Sequence, residues 1–198
     1  GSTARIHFAL NGLPKIKSLS ESQMGTIFSI APSIEYLERA SDSVKYGLIP
    51  EKPYVEFTVP SIFNKNFAPD GKHVLSATIQ YAPYYLRNQS WSPRLNEQLK
   101  QKATVVLEKY IPNFTSLIES SLVLSPADIE KRFGLTEGNL NHGEMTLDQF
   151  MFMRPTISSA QYATPIKNLY ICGGGTHPGG GLHGGNGYNA AKIILKKW

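Results

Sequence analysis

Asn168-Leu-Tyr-Ile-Cys-Gly-Gly-Gly-Thr-His-Pro-Gly-Gly-Gly-Leu-His-Gly-Gly-Asn-Gly-Tyr-Asn-Ala-Ala-Lys-Ile-Ile-Leu-Lys-Lys-Trp198 is the stretch from which the rest of the chain is read. Nine of the seventeen glycines of the 198-residue chain fall between Gly173 and Gly187. A short apolar run, Leu169 to Cys172, enters the loop, and an Ala/Ile/Leu/Lys helical pattern, Tyr188 to Lys197, leaves it. The order predicts strand, glycine loop, helix. Glycine lets backbone approach a ligand with no Cβ in the way and permits positive φ in the turn. The helix start then offers unpaired N–H groups and a partial positive charge to an anionic or carbonyl-rich ligand.

What is missing narrows the ligand contact. Gly179-Gly180-Gly181-Leu182-His183-Gly184 matches G-x-G-x-x-G, a weak signal alone. A nucleotide-binding unit needs a second strand and an acidic residue roughly twenty positions on for the ribose. No acidic residue follows Asp148, and no phosphate-loop Gly-Lys-Ser/Thr is present. The loop therefore reads as closing a dinucleotide or flavin site rather than founding one. The competing reading is an idle glycine-rich turn.

Leu169 to Gly181 resembles the C-terminal flavin motif of phytoene-dehydrogenase-like FAD oxidoreductases, the group of carotenoid desaturases and retinol saturase. Gly143 to Pro155 and Thr164-Pro165 resemble the branch known as pyridine-nucleotide-disulfide oxidoreductase domain proteins. The specific part runs from Gly143 onward. In the wider amine-oxidase superfamily an acidic residue commonly follows the first glycine; Gly174 stands there, which favours the desaturase-like branch.

The resemblance implies FAD as cofactor, contacted by Gly173, Gly174, Gly175, Thr176, His177, Pro178, Gly179, Gly180, Gly181, Gly184, Gly185, Asn186 and Gly187. It implies a fragment of an FAD-dependent oxidoreductase that takes a hydride from an apolar or unidentified substrate. The N-terminal unit binding the ADP half would be missing and would be the chain's natural partner. Such a piece is expected to retain FAD poorly and to self-associate through its uncovered apolar surface. Gly1-Ser2 reads as a cleaved-tag scar, 3–142 as a substrate-domain-like region and 143–198 as the FAD-binding segment. The expected fold class is α+β: a mixed, largely antiparallel sheet with helices on one side, then the strand, loop and helix of the FAD-binding layer. The alternative function is a non-catalytic interaction module whose loop is structural.

Composition fits a domain of ordinary size. No apolar run is long enough to span a bilayer, although peripheral membrane contact is compatible with the pattern. The net charge of +5 is spread out, which argues against a nucleic-acid groove. One cysteine excludes an internal disulfide and suits an intracellular setting, cytoplasmic or, in a eukaryote, the mitochondrial matrix. Cys172, ending an apolar strand, is expected as a small buried hydrophobe rather than a nucleophile. His177 and His183 lack a carboxylate or cysteine cluster, so no metal site is expected. No residue stands out as a catalytic acid or base. Phe150, Phe152 and Arg154, preceding the loop, are candidates to face flavin or substrate, although their alternation equally suits a buried strand.

Patterning supplies the remaining elements. Ile6, Phe8 and Leu10 alternate with polar or small residues as a half-buried strand does. Lys15 to Leu19 reads as a short strand. Ser33 can cap a helix carrying Ile34, Leu37 and Val44, ended by Gly47. Tyr54–Val59 and His73–Tyr81 alternate, with the turn Asn64–Gly71 between them. Ser92-Pro93 opens the clearest helix, in which Leu95, Leu99, Ala103, Val106 and Tyr110 share a face. Leu117–Leu124 is a further strand, and Ser125-Pro126-Ala127-Asp128 caps a short helix ending at Gly134. Tyr81 to Trp91 is aromatic-rich, which suits either a substrate pocket or rim packing.

Overall fold

In the computed structural model, residues 3–16, 19–150 and 153–196 are described. They form two compact units, a larger one ending at Gly138 and a smaller one running on from Asn139. The larger unit is built on a five-stranded antiparallel sheet, in the order β2-β3-β4-β1-β5. Its strands are β1 (Thr3–Leu10), β2 (Phe28–Ile30), β3 (Tyr54–Thr58), β4 (His73–Gln80) and β5 (Ile118–Leu124). Its helices are α1 (Ile34–Lys45), α2 (Pro93–Glu108), the single turn α3 (Phe114–Leu117) and α4 (Pro126–Phe133).

The period-two pattern of β1 decides which face is covered. Ala4, Ile6, Phe8 and Leu10 are fully buried, while Arg5 and His7 on the other face are half-buried. In the β1–β4 register Ile6 stands opposite Ala77 and Phe8 opposite Leu75, so both strands present the same apolar side. Val55 and Phe57 of β3 extend it. Leu99, Ala103, Val106 and Leu107 of α2 join these residues in one continuous core. The ring of Phe114 meets Phe8 edge-on at 5.2 Å.

Helix boundaries follow their caps. Ser33 Oγ accepts from Tyr36 N–H, Ser92 Oγ accepts from Leu95 N–H with Pro93 at the first position, and Ser125 forms a reciprocal capping box with Asp128. Gly134 ends α4 in the left-handed conformation at φ 68°.

Four expectations need correction. Tyr110 is 42% exposed rather than part of the α2 stripe. Regular helix stops at Glu108, and the four-residue step from Leu107 to Ile111 completes the buried face instead. Tyr81 does not continue β4, because its φ of 61° turns the chain out of the sheet. Lys15–Leu19 is not a strand where it is described, and Lys17 and Ser18 lie outside the described residues. Leu169–Cys172 is not a strand either. Only Tyr170 bridges, to Ala163, leaving Tyr170 and Ile171 half-buried, and Cys172 is exposed rather than buried. The aromatic stretch after β4 packs on its own rim: Trp91 Nε1 donates to the Pro83 carbonyl at 2.9 Å, and Tyr84 and Tyr85 donate to Glu130 and Glu137.

No helix among the described residues is long and apolar enough to cross a membrane.

Candidate functional site in the glycine loop

The smaller unit is a coil of turns that ends in helix α5 (Gly185–Leu195). Its glycine loop is held from inside by one side chain. Asn186, 6% exposed in the first turn of α5, aims Nδ2 at the carbonyls of Gly173, Thr176 and Gly179, at 2.8, 3.0 and 3.1 Å. Thr176 is also interior. Its N–H and its Oγ1 both donate to the Gly173 carbonyl at 2.9 Å, and its own carbonyl accepts from Gly179 N–H at 2.7 Å. Thr176 and Asn186 thus spend their side chains on the loop's own carbonyls. The Tyr162 hydroxyl donates to the His177 carbonyl at 2.8 Å, fixing the next turn.

A second layer supports the loop. Asn139 Oδ1 accepts from Asn141 N–H at 2.9 Å, making a side-chain turn that carries Asn141 and His142 against the glycines. A Cβ on Gly180 would start 2.8 Å from Asn141 Oδ1, and one on Gly174 would start 3.1 Å from the His142 ring. Arg154, 1% exposed, ties this layer down: Nη2 donates to the carbonyls of Asn141 and His142 at 2.7 and 3.0 Å.

The outward side of the loop is bare. Gly173, Gly180, Gly181, Gly184 and Gly187 are exposed, and a Cβ at Gly173, Gly184 or Gly187 would meet nothing within 4 Å. Gly184 precedes α5 at φ 68° and gives the helix no side-chain cap. His183 Nδ1 accepts from Gly185 N–H at 3.0 Å. Among the described residues no acceptor meets the N–H groups of Asn186 and Gly187, the orphan donors of a helix start. No acidic residue lies in the first turn. This surface offers open glycine backbone for close approach, and N–H groups with a helix dipole behind them.

The residues expected from sequence at the loop are gathered together, with Gly175 and Pro178 in its turns and Gly185 opening α5. Gly179 is buried beside Arg154. Phe152 lies outside the described residues. Tyr162, Asn139, Asn141, His142 and Met145 were not singled out by sequence reasoning. The only signal for them is the Asn/His/Gly-rich run after Gly138, which breaks all periodicity. Among the described residues no three His, Cys, Asp or Glu side chains come together as a metal site.

The chain is 38% identical over 161 residues to pyridine nucleotide-disulfide oxidoreductase domain-containing protein 2 of Rattus norvegicus, a match covering 81% of the chain and 28% of the rat protein. The chain is a homologue of the pyridine nucleotide-disulfide oxidoreductase domain proteins. It is 37% identical over 92 residues to a limonene dehydrogenase polypeptide of Castellaniella defragrans, covering 40% of the chain and 17% of that protein. It is 26% identical over 170 residues to phytoene desaturase of Fusarium fujikuroi, covering 75% of the chain and 29% of that protein. The chain thus spans less than a third of the length of these relatives. No protein-family model matches it.

Proposed function

We propose that the unit beginning at Asn139 holds the isoalloxazine end of FAD in a larger flavoprotein that dehydrogenates an apolar substrate. The observation carrying this reading is the start of α5, which emerges from exposed glycine backbone with no acceptor at the N–H groups of Asn186 and Gly187 among the described residues. Bound FAD would supply the redox chemistry, accepting a hydride from a substrate C–H bond. The chain's own residues supply position and field. Gly180, Gly181, Gly184 and Gly187 allow backbone contact with the ring, and the α5 dipole favours negative charge near N1 and the C2 carbonyl. Asn186 and Thr176 keep the loop in that shape without touching the ligand. No acid or base is required for hydride removal, and no catalytic side chain is assigned.

The ADP half would be held by a part of the protein outside these residues, a reading supported by the chain's span of less than a third of its relatives' length. The sheet unit would form the substrate side. Phytoene and limonene, named in two of the relatives, are hydrocarbons, which supports an apolar substrate. The test is the visible absorption spectrum of the complete protein. Flavin bands that release FAD on denaturation are expected, and a colourless protein that does not take up added FAD would sink the reading. The isolated chain should purify without tightly bound flavin.

A further inference from the structure

Among the described residues, Arg154 carries a charge that no ion pair neutralises. Its guanidinium is permanently protonated, yet the side chain is 1% exposed. Its acceptors are neutral: the Asn141 and His142 carbonyls, and Met145 Sδ, which lies 2.9 Å from Nη1. Nε is buried without a partner, and among the described residues Arg154 forms no ion pair. The acids of its unit, Glu144 and Asp148, form no ion pair with it among the described residues, and no Asp or Glu occurs between Gln149 and Trp198. A desolvated, uncompensated cation costs several kcal/mol, so such groups normally have a negative partner.

The cation also points at the glycine loop. A side chain at Gly179 would begin 3.4 Å from Nη1. The Gly179 carbonyl is in turn held by Asn186, at the positive end of α5. Two positive features, one a full charge and one a helix dipole, therefore flank the buried Gly179, whose chain neighbours Gly180 and Gly181 are exposed. That arrangement calls for an anion on the loop's open side.

We infer that Arg154 is a buried counter-charge for negative charge arriving on the glycine loop, and that it stabilises the reduced, anionic ring of the flavin. It is a positioning residue acting through Gly179 and the loop, not a catalytic one. The inference rests on the flavin reading and adds to it a means of setting the cofactor's reduction potential.

The test compares Arg154→Lys with Arg154→Gln in the complete flavin-loaded protein. Lys keeps the charge and loses the fork; Gln keeps hydrogen bonding and loses the charge. The readouts are the two-electron midpoint potential and the affinity for oxidised FAD. We expect Gln to weaken the reduced state about tenfold relative to the oxidised one, a fall of about 30 mV for a two-electron couple, with Lys near wild type. Equal potentials in all three proteins overturn the inference. So does a Gln variant that loses oxidised FAD at unchanged potential, because the charge would then serve the pyrophosphate. Failure of the Lys variant to fold while Gln folds overturns it too, since the fork's hydrogen bonds would explain Arg154. If neither folds, the role is structural and the inference falls. A wild-type protein without flavin would sink the parent reading instead.

Discussion

Replacing Asn186 by Ala should loosen the glycine loop while leaving the sheet unit intact. Nδ2 has two hydrogens shared among three carbonyls, so the substitution removes about two hydrogen bonds and leaves interior acceptors short of donors. Each bond contributes about 1 kcal/mol net, and a buried acceptor left unmet costs about 1–3 kcal/mol. Gly173 is exposed, so water can replace its donor and lower that cost. Ala is the better helix former, by about 0.5 kcal/mol. The net expectation is about 2–3 kcal/mol. Native-state hydrogen exchange of the Thr176 and Gly179 amides reads it locally, because both N–H groups donate inside the loop. Their protection should fall roughly 30- to 150-fold, at tenfold per 1.4 kcal/mol, with amides of β1 and β4 unchanged. Asn186→Asp should be worse than Ala, since a carboxylate would face carbonyls with no hydrogen to give. Protection within threefold of wild type in the Ala variant, or an Asp variant as protected as wild type, would refute the proposed bracing.

Two further outcomes concern the sheet unit. Leu99→Ala removes a fully buried side chain from the α2–sheet core and should cost about 2–5 kcal/mol in denaturant unfolding, with the range set by how far the cavity collapses; a loss below about 1 kcal/mol would contradict the packing. Burial, with Arg5 adding to it, holds the His7 imidazole below its ordinary value of 6.5, so the folded protein binds fewer protons than the unfolded chain just below that pH. Stability should be full above pH 6.5 and decline as pH falls through 6.5 toward the folded pKa, and His7→Gln should flatten that part of the curve; an unchanged slope would exclude His7 as the cause.

Much of the larger unit is legible in the sequence because its rules are local. The alternation in β1 and β4 follows from one covered face, and Ser33, Ser92 and Ser125 mark helix starts through their own hydroxyls. The errors lie where local pattern and tertiary partner part company. Tyr110 has the right spacing but falls beyond the regular helix. Leu169–Cys172 has strand composition, yet a strand exists only through a neighbour, and only Ala163 pairs with it. In the candidate site, glycine density and the helix start could be read directly. The bracing by Asn186 and the anchoring by Arg154 could not, because those hydrogen bonds span 7 to 13 residues of irregular chain that carries no period. Arg154 was visible as a candidate, but its burial was not.

The central claim, that the loop's open side receives the flavin, is tested most directly at Gly187. A Cβ there meets nothing within 4 Å, and its φ is not left-handed, so a side chain is free of strain within the protein. Glycine inside α5 costs about 1 kcal/mol relative to Ala. Gly187→Leu in the complete protein should therefore hold or raise the thermal midpoint of the apoprotein while lowering the FAD-to-protein ratio, because the new side chain occupies the space proposed for the ring. A Gly187→Leu protein that is equally stable and still binds FAD stoichiometrically would contradict the account.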